Sequence, residues 1–284
     1  MQIYKKNTNL TKYHEYYSER IAIFTLFFIT FAAVMKFMAI IQARYASTRF
    51  PGKPLAVLGG KTVIQRVYEQ VNNILDEVYV ATDDQRIYDC VEGFGGHAVM
   101  TRKDHQSGTD RIEEAVEKIQ SSADVIINVQ GDEPFIQPEQ IISLMQCFDD
   151  VNTHIATLVK PFDSNDSFSA LENPNTAKVV IDENNNALYF SRSVIPYIRG
   201  VEKELWPSKH QYYTHLGMYA YRADVLKQIT SIQPSTLEIA ESLEQLRWLQ
   251  NGLNIKVDIT NHSSIGIDSP QDLERAELYL SNNS

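Results

Sequence analysis

Apolar positions in this chain alternate between short solid runs and spaced sets. Phe37-Met38-Ala39-Ile40-Ile41 is a run of strand length, apolar enough for both faces to be covered. Ile64, Val67, Tyr68, Val71 and Ile74 then recur at helical spacing behind Thr62 and Gln65, which fit a capping box. Residues 77–82 read as the next strand, and Asp83 or Asp84 can cap a helix through Ile87, Tyr88, Val91 and Phe94 that stops in the glycines of 93–96. A short strand at 98–100, a helix through Ile112, Ala115, Val116 and Ile119, and a strong strand at 124–130 continue the alternation. Strands alternating with helices predict βαβ units, hence an α/β fold with a mostly parallel sheet.

From Val151 the pattern changes. Residues 154–159, 177–181, 187–190 and 212–221 read as strands, with a polar turn at 182–186 and an exposed excursion at 200–209. The block from about 151 to 222 is therefore expected to be an inserted subdomain of antiparallel character. After Pro234 a single helix is predicted through Leu237, Ile239, Ala240, Leu243, Leu246 and Trp248, then a strand at 254–259 and a last helix running to Leu280.

Length and charge bound the function. The chain has 284 residues and is 43% hydrophobic, enough for one sizeable core with a subdomain. Its net charge of -10 excludes a general nucleic-acid binder, which needs a basic face. Cys90 and Cys147 have no metal-ligand spacing and read as reduced thiols of a cytoplasmic protein. The first 34 residues do not conform to the alternation. Ile21 to Val34 is an apolar run of 14 residues, short against the ~20 of a membrane span. It leads directly into the first strand, so the expected biological start is Met35, with residues 35–284 as one domain; membrane contact is expected only if residues 21–34 are expressed.

In an acidic chain, local cations following a buried strand need a reason. Arg44, Arg49 and Lys53 stand in a loop stiffened by Pro51 and Pro54, with Gly52 permitting close backbone approach. Guanidinium forks and ammonium groups bind ionised phosphate oxygens, so the loop is a candidate triphosphate site; a solvated basic loop is the alternative. Gly60-Lys61-Thr62 imitates the end of a P-loop, but Leu55 stands where that pattern needs glycine. The strand at 124–130 delivers Gly131-Asp132-Glu133-Pro134, a carboxylate pair that either holds a hard cation such as Mg²⁺ or caps the next helix. Asp268-Ser269-Pro270 leaves the same choice between ligand and helix cap. His215, inside an aromatic strand, fits a structural place as well as a functional one.

The segments ARYASTRFPGKPL, DHQSGTDR, NVQGDEPFI, ALYFSRSVIPY, HLGMYAY and IDSPQDLE occur in that order between about Phe37 and Leu280. Together they resemble the 3-deoxy-manno-octulosonate cytidylyltransferase (CMP-KDO synthetase) family. The resemblance implies a Rossmann-like nucleotide-sugar transferase fold with an inserted dimerisation element, a homodimer, and transfer of CMP from CTP to 3-deoxy-D-manno-octulosonate for lipopolysaccharide. It implies Arg44, Arg49 and Lys53 on the triphosphate, with Arg49, Lys53 and Asp132 as the catalytic set. Ser107, Gly108 and Arg111 are implied around the cytosine, Asp132 and Asp268 on Mg²⁺, and Gln130, Arg192, His215 and Glu238 at the sugar. Gln42 stands where the family commonly has proline. Within the same chemistry an acylneuraminate cytidylyltransferase is the alternative, and outside it a catalytically silent nucleotide-binding protein of the same fold.

Overall fold

The apolar runs become a single mixed sheet. The computed structural model describes residues 35–46, 49–262 and 266–283; the readings placed on residues 1–34 lie outside them. Its strands are β1 (Phe37–Ala43), β2 (Val57–Leu58), β3 (Lys61–Thr62), β4 (Val78–Thr82), β5 (Ala98–Met100), β6 (Val125–Gln130), β7 (Ile155–Pro161), β8 (Lys178–Ile181), β9 (Ala187–Ser191), β10 (Tyr213–Arg222) and β11 (Ile255–Ile259). The main sheet runs β11-β7-β10-β6-β1-β4-β5. β1 pairs in parallel with β4 and β6, β4 with β5, and β11 with β7. β10 runs against both β6 and β7, so one reversed strand lies within an otherwise parallel array.

The helices follow from their caps. The Thr62 hydroxyl accepts from Gln65 N–H at 3.3 Å and starts the helix Val63–Asn72, whose buried face is Val63, Ile64, Val67, Tyr68 and Val71. Asp84, not Asp83, caps Gln85–Gly93. Ser107 and Asp110 form a reciprocal capping box on Gly108–Ile119, satisfying two end N–H groups. Ile126, Ile112, Tyr221 and Trp248 belong to one continuous core. Among the described residues no helix is long and apolar enough to cross a membrane.

Two expectations change. The 151–222 block is not set apart from the sheet, because β7 and β10 are full members of it. Ile155 to Val159 are all 0% exposed, which requires both faces of the strand to be covered. Among the described residues, only the β8–β9 hairpin branches from this path, through β10. The helix expected after Pro234 is two helices, Thr236–Glu241 and Gln245–Gln250, broken at Ser242 with φ 51°. A left-handed residue there ends the first helix and redirects the chain. An unforeseen helix, Ala223–Ser231, leaves β10 directly and buries Val225, Leu226 and Ile229.

Candidate active site

Parallel neighbours deliver their loops side by side. Ala43 pairs with Thr82 and Gln42 with Gln130, so the chain leaves β1, β4 and β6 at one edge of the sheet. Ligands of open α/β sheets bind beyond this carboxyl edge. Here it opens into a cleft of about 410 Å³ lined by Gln42, Arg44, Arg49, Lys53, Gln130, Gly131, Asp132 and Asp268. Gly131 makes the close approach possible. Its N–H donates to the Gln42 carbonyl at 3.1 Å, and a Cβ there would meet that oxygen at 2.5 Å.

The charged groups converge. The Lys53 ammonium is ion-paired with Asp132 and lies 3.1 Å from Asp268 Oδ1, while an Arg49 guanidinium nitrogen lies 3.0 Å from Asp268 Oδ2. The Lys53 side chain is 15% exposed and that of Arg49 is 70%, so the lysine occupies the floor and the arginine the rim. Burial works against the lysine's charge, but Asp132 and Asp268 together outweigh it and hold its pKa above the usual value. A backbone bond from Ile267 N–H to the Asp132 carbonyl, 2.8 Å, ties the two aspartate loops together.

Neither aspartate is used as a helix cap. Gln137 begins Pro138–Gln146 through a capping box with Gln140. The Ser269 hydroxyl accepts from Asp272 N–H at 3.2 Å at the start of Pro270–Asn283. Both carboxylates are thereby left to face the cleft. Two carboxylates meeting at one cationic point fit a hard divalent ion whose remaining ligands come from phosphates and water. Among the described residues no group of three or more His, Cys, Asp or Glu could hold a metal by itself.

The residues carried over for the base are placed differently from one another. Gly108 abuts the Gln42 carboxamide, and Ser107 is committed to its helix cap. Arg111 is 1% exposed and bound to Asp83 at 2.9 Å and to the Arg102 carbonyl at 3.3 Å. It fastens the 101–111 loop to the exit of β4 and does not line the cleft.

A second cavity of about 260 Å³ shares Gln42 and Gln130 with the first and extends to Asn128, Tyr219, Tyr221, Glu244, Gln245 and Trp248. Its wall is polar: Asn128, Glu244 and Gln245 line it beside the Tyr219, Tyr221 and Trp248 rings. Burial raises the Glu244 pKa, although the Thr109 hydroxyl donates to it at 2.9 Å.

Of the four sugar candidates, the structure brings only Gln130 to this place. His215 is enclosed between Phe190 and Tyr219, with ring centroids 5.2 Å from each, and Nε2 lies 3.0 Å from Thr157 Oγ1. Burial pushes its pKa down to about 3, so it is a neutral core histidine. Arg192 is spent on the carbonyls of Glu241, Pro174 and Ser242. Glu238 pairs with Arg247 through 2.6 and 2.7 Å contacts and caps its own helix. The resemblance implied Glu238 at the sugar; the break at Ser242 leaves Glu238 on Arg247 and puts Glu244 and Gln245 in the wall of the cavity.

A doubly covered, mostly parallel sheet with a cation-lined cleft and paired carboxylates at its strand ends defines a nucleotidyltransferase. The chain belongs to the cytidylyltransferase family, whose pattern matches residues 38–257. It is 62% identical over 250 residues to the 3-deoxy-manno-octulosonate cytidylyltransferase of Bacteroides thetaiotaomicron, covering 88% of this chain and 100% of that protein. It is 48% identical over 251 residues to the enzyme of that name from Thermodesulfovibrio yellowstonii, covering 86% and 97%. Among solved structures, CMP:2-keto-3-deoxy-manno-octonic acid synthetase complexed with CTP superposes with a TM-score of 0.80 at 43% identity, covering 88% of this chain and 100% of that one. The 4-diphosphocytidyl-2C-methyl-D-erythritol synthase of Anaerococcus prevotii, at 16% identity and a TM-score of 0.55, shares the fold.

Proposed function

We propose that this protein transfers CMP from CTP to 3-deoxy-D-manno-octulosonate, giving CMP-KDO and pyrophosphate, and so activates the sugar for lipopolysaccharide. The observation that carries the reading is the join of two unlike sites. A cation-lined cleft suited to phosphates shares Gln42 and Gln130 with a second cavity lined by Asn128, Glu244, Gln245 and two tyrosines, suited to a polyhydroxy acid. The relatives of that name supply the identity of the two substrates.

In this reading Arg44, Arg49 and Lys53 grip the triphosphate, with Lys53 deepest and hence nearest the reacting phosphate. Asp132 and Asp268 would hold Mg²⁺. That ion supplies Lewis-acid polarisation of the phosphate and acidifies the attacking hydroxyl when bound. Ser107 and Gly108 start the helix whose N-terminal end borders the base, and Arg111 positions that helix through Asp83. Gln130, Glu244, Gln245 and Tyr219 orient the sugar so that its anomeric hydroxyl faces the α-phosphate in line. No covalent enzyme intermediate is required. Rate comes from holding the partners in register and neutralising charge on the leaving pyrophosphate, the work of Arg49 and Lys53.

Because free CTP is the co-substrate, the reaction belongs in the cytoplasm. Cys90 and Cys147 are both free thiols, in keeping with that compartment. The active form is proposed to be a homodimer built on the segment around the β8–β9 hairpin. The deciding experiment mixes the purified full chain with CTP, Mg²⁺ and the octulosonate and follows CMP-sugar and pyrophosphate. CTP binding without product would support a silent nucleotide-binding protein, and preference for an acylneuraminate would assign the sibling chemistry.

A further inference from the structure

The cationic loop has a fastening outside the cleft. Ala43 of β1 is in register with Thr82 of β4, so Tyr45 and Asp84 emerge side by side, each two residues on. Asp84 holds Arg86 by a two-pronged contact, Nε to Oδ1 at 2.8 Å and a terminal nitrogen to Oδ2 at 2.7 Å. It also accepts the Arg86 backbone N–H at 3.0 Å. The guanidinium fixed in this way lies over the Tyr45 ring, with its carbon 3.3 Å from the ring centroid.

Tyr45 in turn forms the neck of the loop. Its carbonyl accepts from Gly52 N–H at 2.9 Å, which fixes the backbone one residue before Lys53. Gly52 has φ 72°, and a Cβ there would stand 2.9 Å from the Tyr45 ring, so ring and glycine backbone are packed together. Lys53 is the next residue. Neither Asp84 nor Arg86 lines the cleft.

We propose that Arg86, fixed by Asp84 and stacked on Tyr45, is a positioning residue that sets the conformation of the phosphate-gripping loop and hence the place of Lys53. Without the clamp the Gly52 backbone loses its packing on the Tyr45 ring, and Lys53 is then presented to the nucleotide only part of the time. The inference rests on the reading of Arg44 to Lys53 as the triphosphate seat.

The test is a double-mutant cycle on the full chain, with KM for each substrate, kcat and thermal midpoint measured for every variant. Arg86→Ala is expected to raise KM for CTP by about two- to fivefold, the range of one stacked cation at an exposed site. KM for the octulosonate and the thermal midpoint should stay near the parent values. Arg86→Lys, which keeps a cation for the ring, is expected to recover part of the loss. In a Tyr45→Ala background, Arg86→Ala should cost nothing more, because the path runs through the ring. Additive effects, or equal rises in both KM values, would overturn the clamp. Lys53→Ala separates the premises: if it leaves KM for CTP unchanged, the loop does not seat the triphosphate and the inference falls with that reading. If it raises KM while Arg86→Ala does not, the clamp alone is refuted.

Discussion

Lys53 Nζ lies 3.1 Å from Asp268 Oδ1 while also paired with Asp132, so one ammonium neutralises carboxylates from the middle and the end of the chain. This shared contact joins three loops that have no proximity in sequence. It also makes the aspartates and the lysine different in kind: the acids are held without a cap to serve, and the base is held above its ordinary pKa by them.

Asp132→Asn is expected to lower turnover by at least about a hundredfold, in the range seen when a charge-stabilising group is removed from a reaction centre. Circular dichroism should be unchanged, since the carboxylate makes no helix cap. Pyrophosphate release at near-parent rate would refute its role.

Lys53→Ala is expected to reduce kcat by about a hundredfold or more and to weaken CTP binding. Because two carboxylates are left facing each other, the variant should respond to added divalent cation by a rise in thermal midpoint larger than that of the parent. Calorimetry in the absence of substrate checks this without relying on activity.

Glu238→Gln separates a structural role from a sugar contact. The Glu238 and Arg247 side chains are 14% and 8% exposed, and breaking such a pair costs about 3 kcal/mol. Urea unfolding should show that loss, while KM for the octulosonate remains close to the parent value. A selective rise in that KM would restore Glu238 to the sugar site.

Glu244→Gln should behave in the opposite way. Burial raises the Glu244 pKa above 4.5, so the folded state holds its proton more tightly than the unfolded state. That stabilisation is complete below the unfolded pKa and is lost as pH rises through the folded one. At neutral pH the charged form is a cost, so the glutamine variant is expected to be as stable as the parent or more so. KM for the sugar should nevertheless rise by about tenfold, the loss of one hydrogen bond to a charged group. Thermal melts at pH 4 and 7.5 together with sugar kinetics test both halves.

His215 contributes to the loss of stability on the acid side. Its folded pKa is pushed down to about 3 from 6.5 by burial alone, so the unfolded chain binds the proton first. Stability from this group is present above pH 6.5 and falls as pH drops from there toward 3. His215→Gln is expected to flatten the loss between pH 6.5 and 5 in urea titrations. An unchanged slope would show that other groups set it.

Much of the fold was legible because local rules and burial agree in the first half. The runs at β1 and β6 and the caps at Thr62 and Asp84 are set by neighbours in sequence. The loop with Lys53 and the glycine before Asp132 were legible for the same reason. The second half was harder. A serine in the left-handed region at 242 breaks a good helical pattern without a glycine to announce it, and a reversed strand joins the inserted block to the main sheet. The surroundings of three implied sugar residues were not legible for a related cause: His215, Arg192 and Glu238 are engaged by burial, by carbonyls and by Arg247, partners distant in sequence.

The alternating elements, the cationic loop, the carboxylates and the family resemblance were legible along the chain, since each depends on residues close together or on motifs in a fixed order. Three-dimensional packing settled which charged groups meet, that Asp132 and Asp268 share Lys53, and that Glu244 rather than Glu238 lines the second cavity. The physical reason is that sheet register and one backbone turn set distances across the chain, and charges act through those distances rather than along the sequence.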